Sequence, residues 1–485
     1  MKQENLENKL KIYSQSGVYP FHMPGHKRLI NHLENPYALD ITEINGFDNL
    51  HKPEGILLRA KENLAKLYGA KESFFLVNGS TCGLLAAISA ATKRGDRILL
   101  ARNCHKAVYH AASLRGLYTE YLYPAITKEG IQGSICPKDV EKILEEKPDI
   151  RTVVLTSPSY DGILSDIRSI AEIVHKKRIS LIVDEAHGAH LGFLEGFLES
   201  AVSQGADVVI QSFHKTLPSF TQTAVLHRNS DRVSGKKVQK YLSIFQTSSP
   251  SYLLMASIDS CVEMLAEEKE KYFSNFLEKL KQFYEKVKKL NVLKVLTEQD
   301  FLKKEVYSKD PSKILIYTGN TNITGVELVH QLREQWKLEL EMSSGYYALA
   351  MSSIMDTREG FFRLEEALLS IDQKMQTAEK EQSFSFMKEL YGKKETIFPI
   401  WEAEEMEGKE ISIAQAEGEV TLDTIMLYPP GIPLLLPGEK IEFGFLNKIQ
   451  HCKEMGLNLC GLSGELNERI NVATSSQLYY TNRDL

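Results

Sequence analysis

The sequence predicts an α/β fold: a large domain built on a mainly parallel sheet, then a smaller α/β domain and a C-terminal domain. Three observations carry this expectation. Short apolar runs alternate with helical patterns between about residues 42 and 228, the mark of strands whose connecting helices cover both faces of one sheet. A chain of 485 residues exceeds what a single core accommodates, so two or three domains are expected. Met264 to Leu290 is long, charged and amphipathic, has no Gly or Pro, and reads as a helix leading from the large domain into the next.

In chain order, residues 1–41 read as an arm: a short helix, then an irregular segment rich in Pro, Gly and His. The large domain is expected over 42–290, with strands at Ser73–Val77, Arg97–Ala101, Thr119–Tyr123, Thr152–Thr156, Ser180–Asp184, Ala206–Ser212 and Thr223–His227. Helical stretches such as Asp166–Lys177 separate several of them. A small α/β domain is expected over 291–378. Its strands are near Lys313–Thr318 and Leu338–Met342, its helices near Gly325–Trp336 and Arg358–Lys374. The polar stretch Glu379–Lys394 reads as a linker, and a C-terminal domain is expected over 379–485, with a Pro/Gly-rich stretch from Leu427 to Glu439.

Two strand ends carry the chemistry. Asp184 ends the apolar run Ser180–Val183, and Lys215, in Ser212-Phe213-His214-Lys215, follows the run Ala206–Ile210. In open α/β sheets, ligands sit beyond the carboxyl ends of the strands, where both residues would lie. A lysine and an aspartate placed this way suggest pyridoxal 5'-phosphate (PLP). The amine condenses with the aldehyde as a Schiff base, and the carboxylate keeps the pyridine nitrogen protonated so that the ring accepts electrons. Asn78-Gly79-Ser80-Thr81 follows a strand and opens an apolar helix. Ser80 and Thr81 could cap that helix or bind a phosphate at its positive end, and local sequence leaves both open. Asp184 and Lys215 downstream tip the reading to phosphate.

Composition narrows the alternatives. The net charge of -6 argues against a nucleic-acid partner. The N-terminus is polar, without a secretory core, and no early apolar run is long enough to cross a bilayer, so a cytoplasmic protein away from membranes is expected. Cys82, Cys104, Cys136, Cys261, Cys452 and Cys460 are scattered without metal-ligand spacing and read as free thiols, with no metal expected.

The segments Phe21-His22-Met23-Pro24-Gly25-His26-Lys27, Asn78-Gly79-Ser80-Thr81, Asn103-Cys104-His105-Lys106, Asp184 to His190, Gln211 to Ala224, Ser249-Pro250-Ser251-Tyr252 and Tyr428-Pro429-Pro430-Gly431-Ile432-Pro433 occur in one order along the chain. In that combination the sequence resembles the bacterial Orn/Lys/Arg decarboxylases in their short form, from about Tyr19 to about Gly464. The resemblance implies a PLP-dependent transferase fold of the aspartate aminotransferase type. It implies decarboxylation of a basic amino acid, arginine ahead of lysine and ornithine, to a polyamine-type amine and carbon dioxide. The alternatives are an aminotransferase or C–S lyase on the same fold, or an inactive regulator that retains it.

The resemblance also assigns residues. Ser212 and His214 would help Ser80 and Thr81 hold the phosphate. His105 would lie on the PLP face and deliver a proton to Cα. His187 would hydrogen-bond Asp184 or the PLP hydroxyl. Glu43, Asp48 and Glu439 are candidates for the substrate's distal cation. A homodimer or higher homo-oligomer is expected, with a site completed across the interface. The arm from Tyr19 to Lys27, with exposed-looking Phe21 and Met23, would pack on the partner. One departure is Ala107, where the family carries a hydroxyl residue. Another is the absence of the large amino-terminal domain of the long members.

Overall fold

A computed structural model describes residues 6–29, 35–195, 197–378, 383–428, 431–464 and 468–474. Pro429 and Pro430 of the proline motif and residues 379–382 of the expected linker lie outside the described residues.

The large sheet has seven strands: β1 (Glu72–Leu76), β2 (Arg97–Ala101), β3 (Tyr118–Leu122), β4 (Ile150–Thr156), β5 (Ser180–Asp184), β6 (Val208–Gln211) and β7 (Ala224–Arg228). Their order is β1-β7-β6-β5-β4-β2-β3. Only β7 runs antiparallel to its neighbours, β1 and β6; the other pairings are parallel. The central strands are apolar on both faces because helices cover both faces, so Val153–Leu155, Leu181–Val183 and Val208–Ile210 are fully buried. Helices α1 (Gly79–Ala91) and α2 (Lys106–Leu114) follow β1 and β2, and α3 (Ile167–Lys176) precedes β5. Asp166 caps α3, its carboxylate accepting the Ser169 N–H.

The expected linking helix is longer than its sequence pattern suggested. It runs as α4 over Tyr252–Val287, with a non-helical break at Glu268. Ser249-Pro250-Ser251 halts the preceding chain, and Tyr252, Met255, Ile258 and Val262 give the first half its buried stripe. Beyond it lies an antiparallel sheet of β8 (Lys294–Leu296), β9 (Lys313–Tyr317), β10 (Met342–Ser343) and β11 (Tyr347–Met351), in the order β8-β9-β11-β10. The expected strand Leu338–Met342 divides: Leu338–Leu340 leaves this sheet and pairs in parallel with Tyr19–Phe21. Leu315, Leu349 and Met351 share one core with Ile425, Leu434 and Phe445, so the C-terminal region packs directly on the small sheet.

That pairing corrects the reading of the arm. Phe21 is fully buried, its ring 6.1 Å from that of Phe361, rather than exposed, and the Tyr19 hydroxyl donates to Asp356 at 2.9 Å. Met23 packs on the core shared by the small sheet and the C-terminal region. The arm has its packing partners within its own chain. The six cysteines are free thiols, and among the described residues no helix is long and apolar enough to cross a membrane.

Candidate active site

The site lies where the parallel strands end. Asp184 closes β5 and pairs with Ile210 of β6, so the turn carrying Lys215 emerges beside it. Lys215 sits on the single helical turn Phe213–Thr216 after β6. His187 follows β5, His105 follows β2, and Ser80 lies in the first turn of α1 after β1. The topology thus gathers residues from four strand ends.

His187 Nε2 lies 3.0 Å from Lys215 Nζ. His187 is buried, whereas Lys215 keeps part of its surface open. Burial lowers the Lys215 pKa, and the nearby Asp184 carboxylate partly restores it. Burial in turn raises the Asp184 pKa, opposed by Lys215 and by the Ala186 N–H that donates to Oδ1 at 3.1 Å. Asp184 is thus a buried carboxylate whose compensation is incomplete. A protonated ring nitrogen would complete it. Thr156 Oγ1, at the end of the neighbouring β4, is buried with no hydrogen-bond partner among the described residues.

His105 caps α2, with Nδ1 accepting the Ala107 N–H at 3.2 Å. Ala107 therefore orients this ring through its backbone, which no side chain at 107 is needed to do. Burial and then the Lys215 cation push the His105 pKa down to about 4. His214 is also pushed down to about 4, mainly by burial. Its Nδ1 lies 2.8 Å from the Thr223 carbonyl and donates to it.

Ser80 Oγ and Ser212 Oγ meet at 2.6 Å. No side chain caps α1, because Asn78 at the cap position makes no such bond. The free N–H groups of that first turn and the two hydroxyls form a donor cluster suited to a phosphate. Thr81, in the same turn, is exposed. The residues present therefore fit PLP at both ends: donors for its phosphate, and a buried carboxylate and a lysine amine for its ring.

The three candidate cation partners fare differently. Glu439 is buried and ion-paired to Arg102 at 3.1 Å, and also accepts the Leu436 N–H. Asp48 accepts the N–H groups of Asn49, Glu54, Gly55 and Leu57, tying down the start of the next helix. Slight burial pushes its carboxyl up, but those bonds outweigh it and leave the pKa below the usual carboxylate value. Glu43 has a buried Oε1 with no hydrogen-bond partner among the described residues. None of the three touches Lys215, Asp184, His105 or His187 in the contacts among the described residues.

Three further neighbours carried no local signal. Lys313, the first residue of β9, places Nζ 2.7 Å from His187 Nδ1. The Tyr160 ring lies 4.8 Å from the His187 ring, and the Tyr160 hydroxyl donates to Glu341. Glu341 also accepts the Met23 N–H at 2.9 Å. Tyr160 follows β4, and Lys313 and Glu341 lie in or beside the antiparallel sheet, so only the fold brings them here.

Known proteins agree with this architecture. The Orn/Lys/Arg decarboxylase major-domain family matches residues 5–331, and the corresponding C-terminal-domain family matches residues 399–477. An arginine decarboxylase of Bacillus subtilis is 32% identical over 469 residues, covering 93% of this chain and 94% of the relative. An arginine decarboxylase of Halalkalibacterium halodurans is 30% identical over 473 residues, covering 95% of each. The crystal structure of a Francisella novicida lysine decarboxylase superposes with a TM-score of 0.79 at 19% identity, covering 91% of this chain and 75% of that one, a likeness of fold. Matched through its major domain and over nearly its whole length, the chain belongs to the Orn/Lys/Arg decarboxylase family.

Proposed function

We propose that the protein is a PLP-dependent decarboxylase of a basic amino acid, arginine ahead of lysine and ornithine, acting in the cytoplasm as at least a homodimer. The observation that carries this reading is the Lys215 amine on the turn beside a buried, under-compensated Asp184 at adjacent strand ends. The relatives named arginine decarboxylase support arginine.

When bound, PLP supplies an electron sink for the pair left as carbon dioxide departs. Lys215 would hold it through Nζ. Ser80, Ser212, His214 and the free N–H groups of α1 would hold its phosphate, with Thr81 at the rim. Asp184 would keep the ring nitrogen protonated, since an adjacent anion favours the charged form. His105, neutral and fixed by the Ala107 N–H, would lie against the ring and hold a proton for the substrate Cα. His187 would orient Lys215. Selectivity for decarboxylation would come from the pocket stabilising the transition state for loss of the α-carboxylate over the alternatives.

Among Glu43, Asp48 and Glu439, Glu43 is the carboxylate this reading favours for the distal cation, because the other two are engaged. A guanidinium suits a carboxylate bidentately. The functional division is 1–41 arm, 42–290 PLP-binding domain, 291–378 small domain and 379–485 C-terminal domain. The test is carbon dioxide release by purified protein from arginine, lysine and ornithine, with keto acid followed in parallel. Release from arginine at the highest kcat/KM is expected. No release from any of the three, or keto acid instead, would refute the reading.

A further inference from the structure

Lys313 has no part in the chemistry just described, yet it is the most deeply placed cation at the site. It is fully buried. Its Nζ touches His187 Nδ1 at 2.7 Å and Met351 Sδ at 3.3 Å, and lies 5.9 Å from the centre of the Tyr160 ring. Its stem fills the space left by Gly162, where an added Cβ would sit 2.5 Å from Lys313 Cγ. On the far side of the same imidazole, Nε2 meets Lys215 Nζ at 3.0 Å. One histidine from the large domain therefore bridges two lysines, one of them contributed by the small domain.

Hydrogen-bond inventory constrains this bridge. An ammonium only donates, and a neutral imidazole has one N–H and one bare nitrogen. Both contacts are satisfied only if the ring N–H faces a neutral amine, so one of the two lysines is uncharged. The surroundings agree. Burial first, then Lys215 and Lys313, hold His187 well below its ordinary pKa, so the ring is neutral. Burial pushes Lys313 down to about 7 against the pull of Asp310 and Glu341, with Lys215 lowering it further and Asp161 raising it. Lys215 is faced by His187, Asp184, Glu341, His105 and His214.

We propose that Lys313 is a positioning residue that shares one proton with Lys215 through His187. A proton leaves Lys313 Nζ for His187 Nδ1 while the proton on Nε2 passes to Lys215 Nζ. The ring changes tautomer, and one proton has moved with no oxidant or further reactant. The reverse sequence leaves Lys215 as the neutral amine, the nucleophilic form, without releasing a proton to solvent. The inference rests on Lys215 being the cofactor lysine.

The test uses the holoenzyme and its absorbance band above roughly 400 nm, a property of a protonated lysine–PLP linkage tuned by its pocket. Lys313→Met keeps the length and removes the competitor for the shared proton, so the pH midpoint of that band is expected to rise by about one unit. Lys309→Met is the control. Lys309 is also buried, but among the described residues its Nζ bonds the carbonyls of Asp310 and Lys313 and not His187, so its removal should leave the midpoint at the parent value. If Lys313→Met does not fold, Lys313→Gln keeps a polar contact to Nδ1, cannot titrate, and carries the same expectation. A folded, cofactor-loaded variant with the parent midpoint overturns the inference. Absence of the band in the parent, or reductive pyridoxyl labelling at a lysine other than Lys215, overturns the assignment of Lys215 instead.

Discussion

The placement of Asp184 and Lys215 at neighbouring strand ends was legible because one ends an apolar run and the other follows one closely, and strand ends in a parallel sheet are where ligands sit. Lys313 was not, since it stands at the start of β9 in a different sheet, 126 residues from the His187 it touches. Borohydride reduction and peptide mapping should place the pyridoxyl label on Lys215; label elsewhere would exclude its role. Asp184→Asn keeps the shape and removes the charge. PLP binding should persist while decarboxylation falls by on the order of a hundredfold, the scale of losing a preorganised electrostatic interaction. Near-normal turnover would contradict this. Lys313 also leaves a mark on stability. Its folded pKa, about 7, lies below its ordinary 10.5, so between those values the unfolded chain binds the extra proton. Stability therefore rises with pH across that window, and the destabilisation is fully present below about pH 7. Lys313→Met should melt above the parent at pH 6–7, by up to a few kcal/mol, and gain less between pH 7 and 10. Parallel melting curves for the two proteins at all pH values would count against a depressed Lys313.

At the scale of elements, the parallel strands were read to within two residues because they are short apolar runs buried on both faces. The second, antiparallel sheet was read less well. β11, Tyr347–Met351, is an apolar run as clear as the others but went unread, and the one strand expected nearby, Leu338–Met342, itself divides between two sheets. The arm was misjudged for a related reason: the partner of Tyr19–Phe21 lies more than 300 residues away, beyond the reach of local pattern. Its docking brings Gly25 onto the Lys215 turn, where the Gly25 N–H donates to the His214 carbonyl at 2.8 Å and Ser353 Oγ donates to the Gly25 carbonyl at 2.6 Å. A Cβ at 25 would stand 2.9 Å from the Thr216 and Leu217 backbone, which cannot swing aside as a side-chain tip can. Gly25→Ala should therefore destabilise the protein by about 1–3 kcal/mol and loosen PLP, read as a lower melting temperature and a faster loss of the visible band on dialysis. A variant with parent values in both would show that the arm does not brace the turn.

For the whole molecule, the question is which surfaces the fold consumes and which it leaves for another copy. Arg102, just past β2, and Glu439, in the C-terminal region, form a buried pair that fastens the C-terminal region to the large sheet. Glu439→Gln would strand a buried guanidinium, so a loss of about 3–5 kcal/mol is expected, with no selective rise in KM. Glu43→Gln should instead raise KM for arginine roughly tenfold with melting unchanged, as for a lost contact kept in both ground and transition states. With Tyr19–Phe21 packed on its own chain, the case for a dimer moves to the residues beyond that strand. Tyr37 is 90% exposed, Leu39 46%, Ile44 51% and Phe47 44%, four large apolar side chains within eleven residues and beside the unpartnered Glu43 carboxylate. A monomer rarely leaves such a run to water, and a two-fold dimer would cover it on both copies at once. Sedimentation equilibrium of the parent should give twice the 54.9 kDa chain mass or a higher multiple. Ile44→Asp with Phe47→Asp should shift it toward the single chain and lower activity in a concentration-dependent way, since dissociation follows mass action. A parent that sediments as a fully active single chain would leave this surface without its partner and the dimer without support.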